Sequence, residues 1–395
     1  MRPGPSTRPL VARSIDVITA NQAPTGAYPA APAYNTYSYS WLRDGSFIAA
    51  SMDAHGRRDS ASAFHGWVAS TVEQYAHKVE RLEAEVDIAL GGTGDPLCPL
   101  DDRYTLHTRF TVDGAETREH WGDFQLDGYG FWLTSVAQHL ALSGEDPEPM
   151  RRAIDLVRRY LVATWGLGCF DCWEEYPTRR HMTTWAAVAR GLRDSAVAGL
   201  SPLPTADDIE RRLGAAMGPS SVLRKFVPDD RPIAAAPVAE PAPEAGAVAG
   251  HERVGRSLGP DAIDGSALLV LGGFGPFAPT SDVVRSTSRA IEAELVVDSG
   301  VHRYLEDEYY GGGLWIVLAG ALATVLAPRD AGRAREVLTW IEDQASAAGD
   351  LPEQVTTHMR KPEAKEGWVE RWGAPARPLL WSHAMYLLGV AASGQ

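Results

Sequence analysis

The stretch 314-LWIVLAGALATVL-326 runs for thirteen residues without a charge. A helix apolar on every side must be buried on every side, and thirteen residues fall short of the roughly 20 that a bilayer span needs. This segment therefore predicts an interior helix. Phe131 to Leu142 and Leu379 to Ala391 have nearly the same character. Elsewhere the apolar residues recur at helical spacing and form a single stripe, as in Phe64, Trp67, Val68, Val72 and Tyr75, or in Met150, Ala153, Ile154, Val157, Tyr160 and Leu161. Such helices bury one face only. Alternation of the two kinds predicts two concentric helical layers in an all-α protein, since strand signals are few and short.

Glycines 56, 144, 199 and 218 fall where helices should end, and Thr205 followed by Asp208 reads as a helix start of the capping-box type. From Pro232 to Gly250 the sequence is PIAAAPVAEPAPEAGAVAG, in which the prolines forbid a regular helix. We read it as an excursion within one domain, 1–395, because motifs on both sides of it belong to one site. There is no repeat of fixed period.

With 395 residues, 45% of them hydrophobic and 22% charged, the chain has ample material for a core. Lys and Arg total 37 against 51 Asp and Glu, for a net charge of -14 without any basic block. That balance argues against nucleic acid and anionic membrane as partners. Arg2, Arg8 and Arg13 are not followed by the apolar run of a signal peptide, and the three cysteines, Cys98, Cys169 and Cys172, make no disulfide framework. Both features suit the cytoplasm. Cys169 and Cys172 form a C-x-x-C pair, but zinc would need two more ligands nearby; two buried thiols are expected, with no metal and no cofactor.

Residues with chemical potential gather in six segments: YSYSWLRDGSF (37–47), WGDFQLDGYG (121–130), CWEEYPTRRHMTT (172–184), RYLEDEYYGGGLW (303–315), LPEQV (351–355) and PLLWSHA (378–384). Each lies at the edge of an expected helix, where loops at one end of a helical barrel converge. The twelve tryptophans, many of them beside acids, suit a sugar, whose C–H faces pack on rings and whose hydroxyls seek charged groups; filling of a large core is the plainer use. Glycoside hydrolysis needs one protonated and one ionised carboxyl. Glu174 and Glu353 are the candidates, and the adjacent like charge of Glu175 with Trp173 alongside would favour keeping one carboxyl of that pair protonated.

The order WLRD, QLDGYG, WEE, RYxxDxYxGG, PEQ and LxWSHA resembles the glucoamylase-type glycoside hydrolases of family 15, which include glucodextranases, trehalases and isomaltose-hydrolysing enzymes. The resemblance implies an (α/α)6 barrel, here a single catalytic domain without the β-sandwich that precedes it in many bacterial members. It implies an inverting, exo-acting hydrolase that releases β-glucose from a small carbohydrate. By the same resemblance Glu174 is the general acid and Glu353 the general base. Arg43 and Asp44 hold the terminal glucose, Tyr37 lies near the nucleophilic water, and Trp41, Trp121, Trp173 and Trp381 contact sugar. Glu175 and Arg303 stand between the glucose and leaving-group subsites.

Plainer roles compete with these. Arg43 and Asp44 could be a helix-start ion pair, Asp307 could simply pair with Arg303, Asp127 could only cap a helix, and His383 reads as a core histidine. The segment YPTRRHMTTW after WEE and the excursion at 232–250 depart from the family pattern and bear on the leaving group; a short α-1,6 glucoside such as isomaltose is expected to be favoured, with trehalose and dextrins as alternatives. A sugar-binding barrel without catalysis is the alternative from another class; the presence of both carboxylates argues against it.

Overall fold

A computed structural model describes residues 8–34, 37–85, 100–117, 119, 121–228, 258–259 and 261–394. The excursion at 232–250 and Cys98 lie outside the described residues.

The helices alternate between two layers. Outer α1 (Pro9–Asn21) leads to inner α2 (Leu42–Ala54), and outer α3 (Arg58–Gln74), extended by α4 (Ala76–Ala84), leads to inner α5 (Asp127–Ser143). Outer α6 (Glu148–Thr164) precedes inner α7 (Met182–Asp194), and outer α8 (Pro204–Met217) precedes the short inner α9 (Ala267–Leu269), prolonged by a π-helical turn at Val270–Phe274. Outer α10 (Asp282–Leu295) precedes inner α11 (Ile316–Leu326). Outer α12 (Ala331–Asp343) and the exposed α13 (Lys365–Trp372) precede inner α14 (Leu380–Ala392).

Inner helices pack in sequence order, α2 on α5, α5 on α7, α7 on α9, α9 on α11 and α11 on α14, and α14 closes the ring on α2. This is the (α/α)6 barrel. Burial follows the reading of the sequence. On α11 every residue but Thr324 is buried, whereas α6 buries the stripe Met150, Ala153, Ile154, Val157 and Leu161 and leaves Glu148, Arg151 and Arg152 in water. Each buried large apolar side chain contributes about 1.5–3 kcal/mol, so the two patterns separate the layers. Where α5 meets α7 the backbones touch: a Cβ on Gly191 would lie 2.4 Å from the Gly130 carbonyl oxygen.

Two local expectations change. Leu314 and Trp315 form strand β5, and the helix begins at Ile316. The capping box at Thr205 and Asp208 does not form: α8 starts one residue earlier on Pro204, whose fixed φ suits a first turn, and Asp208 instead accepts from Arg211 and Arg212. Glycines 56, 144, 199 and 218 follow helices with positive φ, as read.

The strands are short. β1 (Ser40–Trp41) pairs antiparallel with β2 (Arg109–Phe110) in the register Trp41 to Arg109. β3 (Val296–Val297), β4 (Gly300–Val301), β5 and β6 (Gln354–Val355) form an antiparallel sheet in that order, with Trp315 opposite Gln354. The two ladders bring Arg109 beside α2, and Arg303 and Glu353 beside the start of α11.

Candidate active site

Inner helices α2, α5, α7, α11 and α14 point their N-termini at one end of the ring. Trp41 is the residue before α2, Asp127 the first of α5 and Trp315 the residue before α11, while Trp381 lies in the first turn of α14. Unpaired N–H groups at helix starts carry partial positive charge, and the acidic side chains collect there.

Arg43 is buried. Its Nη1 donates to Gln125 Oε1 at 2.7 Å and to Asp127 Oδ2 at 3.3 Å, and its guanidinium lies 5.6 Å from the Trp381 ring centre. Asp44 Oδ1 is 3.6 Å from Arg43 Nε, and neither atom has a hydrogen-bond partner. Burial pushes the Asp44 carboxyl up to about 7 against the pull of Arg43, with Glu174 and Asp127 adding to the rise. Gln125 and Asp127 are thus scaffold for Arg43, and Asp127 also accepts the N–H of Gly128.

Glu174 sits in a turn with φ 66°, followed by Tyr176 at 52°, a strained region for residues that carry a Cβ. Its Oε1 accepts from the Trp41 indole at 2.9 Å and from Gln125 at 3.2 Å, with Arg43 Nη2 4.0 Å away. Of the adjacent glutamates it is Glu175 that burial pushes up, to about 7, with Arg303 opposing. The like-charge argument from sequence does not select between them; desolvation does. Glu175 accepts from Tyr304 at 2.7 Å and from Arg303 at 3.4 Å. Arg303 also binds Asp307, the plainer pairing read from the sequence, so one guanidinium serves both carboxylates.

Glu353 is buried just before β6. Its Oε2 accepts from the Tyr309 hydroxyl at 3.3 Å, and that hydroxyl lies 2.5 Å from the hydroxyl of Tyr37. Burial pushes Glu353 up to about 8; Arg303 and the two tyrosine hydroxyls resist, and Asp44 adds to the rise. Tyr37 links the two carboxyls: its ring meets Trp41, which donates to Glu174, and its hydroxyl lies 2.5 Å from that of Tyr309, which donates to Glu353.

The walls are aromatic. Trp41 meets Trp121 and Tyr37 edge-on at 5.9 and 5.8 Å, and Trp173 lies 5.2 Å from Trp315. The indole N–H groups of Trp315 and Trp381 are buried without a partner, like Arg43 Nε and Asp44 Oδ1.

The sequence reading missed Tyr309 and Trp315, though both stand inside a quoted segment. It also missed Arg109, which stacks 3.8 Å from the Trp121 ring centre, and the trio Asp171, Lys225 and Asp264 beneath the 173–175 turn, which only the fold assembles.

Comparison with known proteins shows the family. The family model described as glycosyl hydrolases family 15 matches residues 5–370. The chain belongs to glycoside hydrolase family 15. A relative from Kribbella flavida, named isomaltose glucohydrolase, is 40% identical over 96% of this chain and 91% of its own. The structure of a glycosidase variant in complex with glucose matches with a TM-score of 0.83 at 38% identity, covering 98% of this chain and 96% of that one. A glucoamylase from Hormoconis resinae matches with a TM-score of 0.65 at 16% identity, over 98% of this chain and 72% of its own, and shares the fold. This family 15 protein is therefore a glycoside hydrolase acting on carbohydrate.

Outside the pocket, His383 is the core histidine expected. Its Nε2 accepts the Leu351 N–H at 3.0 Å, so Nδ1 carries the proton toward Ser14, and burial drives it down to about 3. Cys169 and Cys172 are both buried. Asp53, His65 and His139 form the one group with metal-ligand chemistry among the described residues; it lies nine residues along α2 from Asp44, roughly 14 Å away at the other end of the ring, and both His139 nitrogens face carboxylates, Asp53 at 3.0 Å and Glu145 at 3.5 Å. No described helix is long and apolar enough to cross a membrane.

Proposed function

We propose that this family 15 enzyme is an inverting, exo-acting α-glucoside hydrolase that releases β-D-glucose from the non-reducing end of a short α-glucoside, isomaltose favoured. The observation that carries the reading is the pair Glu174 and Glu353, linked through Trp41, Tyr37 and Tyr309 and walled by tryptophans. Glu174, its Oε1 already accepting two hydrogen bonds, carries its proton on Oε2 and gives it to the glycosidic oxygen as the C1–O bond breaks. Ionised Glu353 takes a proton from water, whose oxygen bonds to C1 on the opposite face. The two sugars leave as alcohols, and the configuration at C1 inverts. A carboxyl raised toward 8 is a stronger base than an ordinary glutamate.

Arg43, Asp44, Trp41 and Trp381 hold the terminal glucose; Trp121, Trp173, Glu175 and Arg303 border the leaving sugar. The preference for isomaltose is supported by the Kribbella flavida relative's name and its 40% identity. The test is glucose release from isomaltose, maltose, nigerose, trehalose and a dextrin, followed by anomer-resolved NMR and kcat/KM. β-Glucose first and isomaltose best are expected. α-Glucose as the initial product overturns the mechanism, and trehalose as best substrate, or efficiency rising with chain length, overturns the specificity.

A further inference from the structure

The turn that carries Glu174 is organised by three buried charges, Asp171, Asp264 and Lys225. Asp171 Oδ1 accepts the backbone N–H groups of Trp173 at 3.0 Å and Glu175 at 2.9 Å, the residues on either side of Glu174. Asp264 Oδ1 accepts the Trp173 indole N–H at 2.9 Å. The other oxygens of both carboxylates bind one ammonium, Lys225 Nζ, each at 2.6 Å. All three side chains are almost fully buried. Lys225 is roofed by the Tyr304 ring, 4.8 Å from Nζ, and Tyr304 donates to Glu175.

The physical need is clear. Glu174 at φ 66° and Tyr176 at 52° occupy a backbone region unfavourable for residues that carry a Cβ, so the turn persists only where its surroundings hold it. Asp171 holds the backbone and Asp264 holds the ring. Two buried carboxylates repel unless a cation joins them, and burial, which opposes the charge on Lys225, is outweighed by Asp171 and Asp264.

We infer that Lys225 is a positioning residue for Glu174: by bridging Asp171 and Asp264 it locks the backbone and ring of Trp173 together and fixes the direction in which the next residue presents its carboxyl. The inference rests on Glu174 being the general acid.

The experiment compares isomaltose with α-D-glucosyl fluoride, whose fluoride departs without a proton from the enzyme. Acid catalysis is worth about 10²–10⁴-fold. Lys225→Met should lower kcat on isomaltose by about 10²-fold with KM little changed, and lower turnover of the fluoride by less than about 5-fold. Because Lys225→Met leaves two buried carboxylates unpaired, the double variant Lys225→Met/Asp171→Asn is measured beside it. Wild type and double variant both keep a net charge of -1 in the trio, and the amide oxygen that Asp171→Asn introduces still accepts the two N–H groups; the same split between substrates is expected. Equal losses on both substrates, or no loss on isomaltose, in either folded variant overturn the inference. Failure of the wild type to hydrolyse either substrate instead overturns the proposed function.

Discussion

Asp44→Asn keeps the shape of a buried side chain and removes its charge, and it separates binding of the glucose from support of the helix. Burial raises the Asp44 carboxyl from 3.8 to about 7, net of the attraction of Arg43. In the unfolded chain the carboxyl loses its proton near pH 4, in the folded protein near pH 7, so the native state holds the extra proton between them. Native stability therefore falls as pH rises from about 4 to 7, by up to about 4 kcal/mol at about 1.4 kcal/mol per pH unit. The amide escapes that loss. The variant should match wild type in Tm at pH 4 and exceed it at pH 8, measured by calorimetry at one scan rate. Function should move the other way: a charge-assisted hydrogen bond to a sugar hydroxyl is worth about 1.5–3 kcal/mol, so kcat/KM on isomaltose should fall about 10- to 150-fold. A variant less stable than wild type at pH 8 would show that Asp44 serves the α2 N-terminus, where a carboxylate is worth about 0.3–1 kcal/mol. Unchanged kcat/KM would remove it from the glucose subsite.

Glu353→Gln should lower kcat by about 10²-fold or more while isomaltose binding, read by calorimetry, is largely retained, because the base acts in the transition state. The rising limb of kcat/KM against pH should lie well above the usual glutamate value, toward the 8 to which burial pushes Glu353; Tyr309→Phe removes a hydrogen bond that favours the ionised form and should move that limb to higher pH. Gly191→Ala puts a methyl 2.4 Å from the Gly130 carbonyl oxygen and should cost about 1–3 kcal/mol, seen as a lower Tm.

The layers were legible because burial on all sides and burial on one side leave different patterns: α11 and α14 read as interior, α3 and α6 as exterior. The pocket was legible wherever its residues cluster in the chain, as Trp41, Arg43 and Asp44 do before and within the first turn of α2. What stayed hidden acts alone and from a distance. Lys225 and Asp264 are 39 residues apart in the chain, and only the fold brings them to 2.6 Å. The adjacent glutamates mark the limit of local reasoning, since depth of burial, which no neighbour in sequence reports, decides that Glu175 is raised. Thr205 and Asp208 misled because Pro204 begins a helix without any cap.

Closure of the inner ring by α14 on α2 joins the two ends of the chain at the pocket. Arg43 comes from the first inner helix and faces Trp381 of the last, 5.6 Å away, with Phe47 stacked on the same ring at 5.8 Å. A growing chain has made five inner helices and still lacks one wall of the proposed glucose site. Synthesis from the N-terminus therefore yields no partly active intermediate, and enzymatic activity gained during refolding reports the arrival of the last helix, after contacts of the longest sequence separation have formed.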